Sequence, residues 1–295
     1  MNNKECGFLL LTSMLGSPER KPLTVAQFRN LANRVTRMQK PADMRELTAE
    51  DLLVLGYDRP MAMRIVGLLS EGELLERYLY KGSRQDCVSI SRVSEQYPLA
   101  VRKRLGLDAP GCLWAKGNLA LLGTQTVSLV GSRELRENNR KFAALAGREV
   151  ARQGFTLVSG NARGADRAAQ DACLEAGGRV ISVVADELQK YPLTEQVLYL
   201  SEDGFDLPFS AIRALSRNRV IHTLGYLTLV AQSDLGIGGT WDGTVKNLQK
   251  NWSPVFCFRD GSPASAELEQ LGATLIDAEQ LRNLPALQPN IISLL

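Results

Sequence analysis

The chain holds 295 residues, 44% of them hydrophobic, and its 35 basic and 32 acidic residues leave a net charge of +3. That suits a globular protein long enough for one α/β domain and a smaller unit, with too little charge to identify a polyanion partner unless it is concentrated somewhere. Cys6, Cys87, Cys112, Cys173 and Cys257 show no paired spacing, so neither a disulfide framework nor a zinc site follows from them, and His222 as the sole histidine excludes His-rich metal sites and two histidine bases. No run of 18 apolar residues occurs, and the apolar patch at residues 8–11 is short for a secretory signal. The sequence reads as cytoplasmic, with no membrane partner, metal or cofactor.

Residues 1–95 carry helical patterns and few strand-like runs. Between residues 24 and 38, Val25, Phe28, Leu31, Ala32 and Val35 share one helical face. Thr48-Ala49-Glu50-Asp51 has the form of a capping box, Gly56 ends that short helix, and Pro60 can begin the next. Residues 61–80 continue as helix, with a kink expected near Gly72. The pair looks like the small helix–turn–helix units that touch DNA backbone through the turn, and it suits equally an adaptor packed on the larger domain. Residues 96–122 read as a turn-rich join in which Trp114 is a packing anchor.

From residue 126 the pattern changes to strand, turn, helix, strand, turn. Residues 126–130 form a β-branched apolar run that Gly131-Ser132-Arg133 interrupts. Over residues 137–153, Phe142, Leu145, Ala146 and Val150 recur at helical spacing, and residues 155–158 make a second strand running into a loop with Ser159, Gly160, Arg163 and Gly164. In an open parallel sheet both glycine turns reach one edge, where backbone N–H groups and helix N-termini favour an anion. Arg133, Arg136, Arg140, Lys141, Arg148 and Arg152 lie beside that edge, either as a basic patch or as a solvated helix face. A small-residue helix follows around Ala165–Cys173, then a strand at 180–184, the forked donors Arg217-Asn218-Arg219, and a strand at 226–231. A long glycine-rich loop over 232–244, containing Gly239 and Thr240, leads into a helix at 245–249, with further strands at 254–258 and 273–276.

Four segments in this order, "SLVGSR", "LVSGNARGAD", "GGRVISVVADELQKYP" and "SRNRVI", resemble the DNA-processing protein A family, also called Smf, across residues 97–258. That family is a branch of the Rossmann-like group that also holds the cytokinin-activating phosphoribohydrolases. The resemblance implies an α/β fold: a Rossmann-like open parallel sheet with helices on both faces, behind a small helical N-terminal domain. The expected division is 1–95 helical domain, 96–122 linker, 123–280 Rossmann-like domain and 281–295 tail. The resemblance further implies a non-catalytic homodimer that binds single-stranded DNA and helps load the RecA recombinase during natural transformation. The expected phosphate-binding set is Gly131, Ser132, Arg133, Ser159, Gly160, Arg163, Gly164, Arg217, Asn218, Arg219, Gly239 and Thr240.

Departures from the related patterns bear on function. Phosphoribohydrolases carry "PGGxGTxxE", whereas Gly243-Thr244 here leads to Asn247, an amide that transfers no proton at neutral pH. The DNA-processing family has "GID..AH" where this chain has Gln170 in place of the histidine, and its "SGSLxTA" loop is here longer and contains Trp241. The alternatives left open are a nucleotide sensor in phage- or plasmid-linked defence, and an N-glycoside hydrolase with Asp166 or Asp242 as its acid.

Overall fold

In the computed structural model, residues 2–17, 19–38, 46–202 and 204–287 are described; the end of the expected C-terminal tail lies outside them. The chain begins with α1 (Asn3–Thr12), whose Leu9, Leu10 and Leu11 are fully buried. The apolar patch that is short for a secretory signal is therefore the centre of the helical unit. Around it stand α2 (Val25–Val35), α3 (Ala49–Val54), α4 (Arg59–Ser70) and α5 (Gly72–Ser83). Thr24 and Thr48 each close a capping box, and Asp58 caps α4 with Pro60 in its first turn. The kink expected near Gly72 is a full break, because Glu71 at ψ 38° leaves the helical conformation between α4 and α5.

Two strands lie where the sequence suggested helix and linker. β1 (Cys87–Ser91) pairs antiparallel with β2 (Cys112–Gly117), separated by α6 (Leu99–Leu105). Trp114 on β2 is fully buried against Tyr78 and Phe205, with ring centroids 5.1 Å and 4.9 Å away. That aromatic cluster joins α5 to the sheet, so the helical unit and one sheet face share a continuous apolar core.

The centre of the sheet follows the expected order. β3 (Thr126–Val130), α7 (Glu137–Arg152), β4 (Thr156–Ser159), α8 (Ala165–Glu175) and β5 (Arg179–Val184) form successive parallel crossovers. β6 (Val197–Glu202) adds a strand that the sequence reading omitted, and it links the parallel part to antiparallel β2. The chain then forms α9 (Ala211–Ser216), α10 (Asn218–Leu224), β7 (Leu227–Val230), α11 (Gly238–Lys250), β8 (Val255–Phe258), α12 (Pro263–Gln270) and β9 (Thr274–Ile276). Among the described residues, nine strands run in the order β1-β2-β6-β5-β4-β3-β7-β8-β9.

Adjacent residues of β4 serve opposite faces, as strand geometry requires: Leu157 packs with Phe142 and Val150 of α7, while Val158 packs with Val220 and Ile221 of α10. Helices cover both faces. The chain moves outward from β3 through β4 and β5 on one side and resumes through β7 on the other. This reversal makes the carboxyl ends of β3 and β7 a topological switch point, where the loops part and leave a crevice. Among the described residues, no helix is long and apolar enough to cross a membrane.

Candidate nucleic-acid interface

The crevice is a cavity of about 490 Å³, bounded by the end of β3, the loop after β4, the α9–α10 turn and the start of α11. Its loops are locked to each other by close backbone contact. Gly164 has φ +90°, and a Cβ there would lie 2.4 Å from the carbonyl oxygens of both Ser132 and Arg133, so the two turns meet at a distance only glycine allows. Ala165 donates its N–H to the Ser132 carbonyl at 3.2 Å, completing the join.

Of the expected set, Gly131, Ser132, Arg133, Arg163, Arg217, Asn218, Gly239 and Thr240 line this cavity. Arg133 is exposed and, among the described residues, has no hydrogen-bond or ion-pair partner. Arg163 reaches Glu134 at 3.1 Å, a pairing of two well-exposed side chains that holds weakly. Ser132 donates its hydroxyl to Asp234 Oδ2 at 3.1 Å, and its N–H goes to the Gln232 carbonyl at 3.0 Å. Its backbone donor is therefore spent within the protein.

Four members stand elsewhere. Ser159 is fully buried and accepts a hydrogen bond from Gln170 Nε2, the residue found where the related family has histidine. Gly160 supports Arg217: a Cβ there would fall 1.8 Å from Arg217 Nη1. Gly164 closes the loops, as described above. Arg219 turns away, pairing with Glu202 at 3.0 Å and donating to the Asp108 carbonyl at 3.2 Å. Residues two apart on a helix point in different directions, so Arg217 and Arg219 do not share a cavity.

The basic residues of α7 divide similarly. Arg136, at the N-cap position of α7, pairs with Asp260, while Lys141 and Arg152 pair along the helix with Glu137 and Glu149. The helix presents a solvated face, and in this stretch only Arg133 borders the cavity.

At the cavity floor, Arg217 Nη2 donates to the Gly160 carbonyl at 2.9 Å and lies 4.0 Å from Asp166 Oδ2. Burial is the largest influence on both groups: it raises the Asp166 carboxyl above its usual range and lowers Arg217, with each partner's charge opposing the shift. Arg217 Nη1 also donates to Asn218 Oδ1 at 3.0 Å, and Asn218 Nδ2 donates to the Gly239 carbonyl at 2.9 Å. Asn218 thereby ties the α10 start to the α11 start, with both polar ends committed. Sequence reasoning weighed Asp166 only as a hydrolase acid; its place beside Arg217 and the cavity wall formed by α9 carried no motif.

The glycine-rich loop is shorter than expected, because α11 begins at Gly238 and takes in Gly239, Thr240 and Trp241. Its first-turn N–H groups have no intrahelical acceptors and border the cavity, bringing roughly half a positive charge to it. The Gly-Thr pair at this helix start is Gly239-Thr240, and the residue three beyond Thr240 is Gly243, which has no side chain. Asn247 lies in the interior. It donates to His222 Nδ1 at 3.1 Å and accepts from the Ser253 N–H at 2.9 Å. Asp242 is exposed on α11 and does not line the cavity.

His222 is fully buried, and burial, followed by the Arg217 charge, lowers its pKa to about 3. Its folded pKa thus lies below the unfolded value of about 6.5, so unfolding takes up a proton between these limits. The contribution of neutral His222 is complete above about pH 6.5 and is lost as pH falls toward 3. Urea denaturation of wild type and His222→Gln at pH 7.5 and 5.0 should show the wild-type advantage shrinking by about 2 kcal/mol at the lower pH. An unchanged difference would contradict the buried, neutral assignment.

Comparisons with known proteins follow the same outline. The chain is 29% identical over 169 residues to the DNA processing protein DprA of Bacillus subtilis (strain 168), a match spanning 54% of this chain and 56% of that protein. The X-ray structure of DNA processing protein A from Streptococcus pneumoniae superposes with a TM-score of 0.71 at 23% identity, covering 98% of this chain and 99% of that one. The Helicobacter pylori DNA processing protein A structure gives 0.57 at 23% identity, over 67% of this chain and 94% of that one. These superpositions establish the fold. The family model described as DNA recombination-mediator protein A matches residues 89–277, and the chain belongs to that family.

Proposed function

We propose that this chain binds single-stranded DNA by its phosphate backbone at the switch-point crevice, and acts in DNA uptake and recombination by holding the strand without cutting or joining it. One observation carries the reading. Arg133, without a hydrogen-bond or ion-pair partner among the described residues, weakly held Arg163 and the start of α11 converge on one open cavity. Charge-assisted donors of this kind suit phosphate oxygens, and contacts to phosphates are indifferent to sequence. The solved Helicobacter pylori relative is described by its single-stranded DNA binding mode, which supports the same ligand class here. Pairing with a second copy and delivery of the strand to the RecA recombinase belong to this proposal on family grounds.

Fluorescence anisotropy with a labelled 20-mer of thymidine tests it. Arg133→Ala and Arg163→Ala should each weaken binding about tenfold, since each removes a hydrogen-bonded charge worth about 1.5 kcal/mol. No binding by wild type at low salt, or wild-type affinity in the double variant, would refute the reading. The cavity volume of about 490 Å³ also suits a small ligand, which favours a nucleotide sensor as the second reading. Stabilisation by a free nucleotide without any strand binding would transfer the assignment to it.

A further inference from the structure

A second cavity, of about 770 Å³, lies where the helical unit meets β1, and it shares no lining residue with the crevice. α1 and α2 supply Phe8, Phe28, Ala32 and Val35, while Val93 after β1 and Leu107 after α6 form the opposite side. Phe8 and Phe28 meet edge to face, with ring centroids 4.7 Å apart. The polar part of the lining is of one kind: Lys4, Arg92 and Arg102 border the cavity, and no hydroxyl, amide or carboxylate side chain joins them.

These cations are not neutralised within the protein. Among the described residues none of the three forms an ion pair; the carboxylate that acts on Arg92, Asp108, is 77% exposed and lies 3.7 Å from Arg29 instead. Glu5, next to Lys4, accepts the Asn2 N–H as part of the α1 capping box. Arg92 stands over the faces of Phe8 and Phe28, with its guanidinium carbon 5.3 Å and 5.8 Å from the ring centroids. Its Nη1 donates to the Leu107 and Ala109 carbonyls at 3.0 Å and 3.1 Å, which holds that wall in place. Arg102 Nη2 donates to the Ser94 carbonyl, but its Nε is buried and has no hydrogen-bond partner among the described residues. A buried donor left unmet is uncommon in a settled interior. Burial, with the Arg102 and Arg29 charges adding to it, depresses the Arg92 guanidinium below its usual range, a cost that an arriving anion relieves.

The lining selects the ligand's chemistry. A nucleotide base or a peptide backbone carries donors and acceptors along its length, and these walls would leave them unpaired. An apolar chain with a single charged head uses both parts of the cavity. The chain replaces water on the aromatic and aliphatic surface, and the head takes the arginine and lysine donors. The volume falls within the range of small-molecule sites.

We infer that this cavity binds a single-chain amphiphile with one anionic head, a carboxylate or a phosphate monoester, its chain against Phe8, Phe28 and Leu107 and its head against Lys4, Arg92 and Arg102. Because the site spans α1, α2 and the turn after α6, its ligand fastens the helical unit to the sheet.

The test is titration calorimetry of the full chain at low salt with octanoate, octyl phosphate, 1-octanol, acetate and an acidic tetrapeptide ending in phenylalanine. Octanoate or octyl phosphate should bind at least about tenfold more tightly than octanol or acetate, and the tighter of the two identifies the head. Lys4→Gln, at an exposed position, should weaken that binding about threefold, and Lys4→Gln/Arg102→Gln should bring it to the level of octanol. Ala32→Phe, which fills the cavity and keeps every cation, should abolish binding of all three eight-carbon probes, with cooperative urea unfolding showing that each variant is folded. The inference is overturned by no saturable binding of either anionic amphiphile, by equal binding of octanol, by affinity unchanged in the folded variants, or by the peptide binding tenfold more tightly than both amphiphiles. None of these outcomes touches the strand reading, whose cavity is separate.

Discussion

Alanine at Gly147 should destabilise the protein by about 3 kcal/mol, although glycine-to-alanine inside a helix ordinarily stabilises by about 1 kcal/mol. The reason is the contact between α7 and α8. A Cβ on Gly147 would fall 2.0 Å from the carbonyl oxygen of Ala169 and 2.8 Å from its carbonyl carbon, and these backbone atoms cannot rotate away. The helices would have to separate, loosening Phe142, Ala146 and Val150 beneath α7 and Ala165 and Cys173 in α8, all now buried at 1% exposure or less. Urea denaturation measures the result. A more stable variant would mean that propensity outweighs contact and that the two helices are not so closely apposed.

Arg217→Met should cost about 3 kcal/mol at neutral pH, the scale seen when one member of a buried ion pair is removed. The substitution keeps much of the side-chain volume but leaves the Asp166 carboxylate buried, with the Ala162 N–H at 3.1 Å and without the guanidinium. It also removes the donor to the Gly160 carbonyl. The pH dependence gives a second readout. Burial already raises the folded pKa of Asp166 above its ordinary value, and the Arg217 charge opposes that rise. Without Arg217 the folded pKa climbs further, so the native variant binds its proton more readily than the unfolded chain does. Its stability is lost as pH rises through that pKa and recovered as pH falls toward about 4. The deficit against wild type should be clearly smaller at pH 4.5 than at pH 7.5. Equal deficits at both values would show that Asp166 keeps its charge compensated by other groups.

The first βαβ unit was legible because β3 and β4 are short apolar runs each followed by glycine, and α7 between them repeats apolar residues at helical spacing. β3 has the expected bounds, β4 is displaced by one residue at both ends, and α7 stops one residue short. Edge strand β1 and its neighbour β2 were hidden: Pro110-Gly111 before β2 and Gly117-Asn118 at its end look like turn chemistry, and the pairing of β2 with β6 depends on a partner far along the chain. The start of α11 was read as loop because Gly238 and Gly239 are poor helix formers, yet at this first turn Gly238 adopts φ +86° and Gly239 makes room for the Leu215 and Asn218 side chains.

At the candidate site, the two glycine turns lie at the sheet edge that carries the cavity. Side-chain direction was the part that local sequence did not supply. Ser159 points to Gln170 of α8, and Arg219 points to Glu202, although each belongs to a motif that reaches the crevice. The helical spacing of Arg217 and Arg219 did contain that second distinction once α10 was known to begin at Asn218. The cavity wall formed by α9 depends on Arg213 reaching carbonyls of two separate loops, which no local pattern announces.

The most direct measurement is the salt dependence of single-stranded DNA affinity for wild type and for Arg133→Ala/Arg163→Ala. If phosphates bind at the crevice, the logarithm of the association constant falls linearly with the logarithm of salt concentration, and the double variant loses about 0.7 of slope for each phosphate contact removed, roughly 1.4 in all. A flat wild-type dependence, or the same slope in the variant, would contradict phosphate binding by these two arginines.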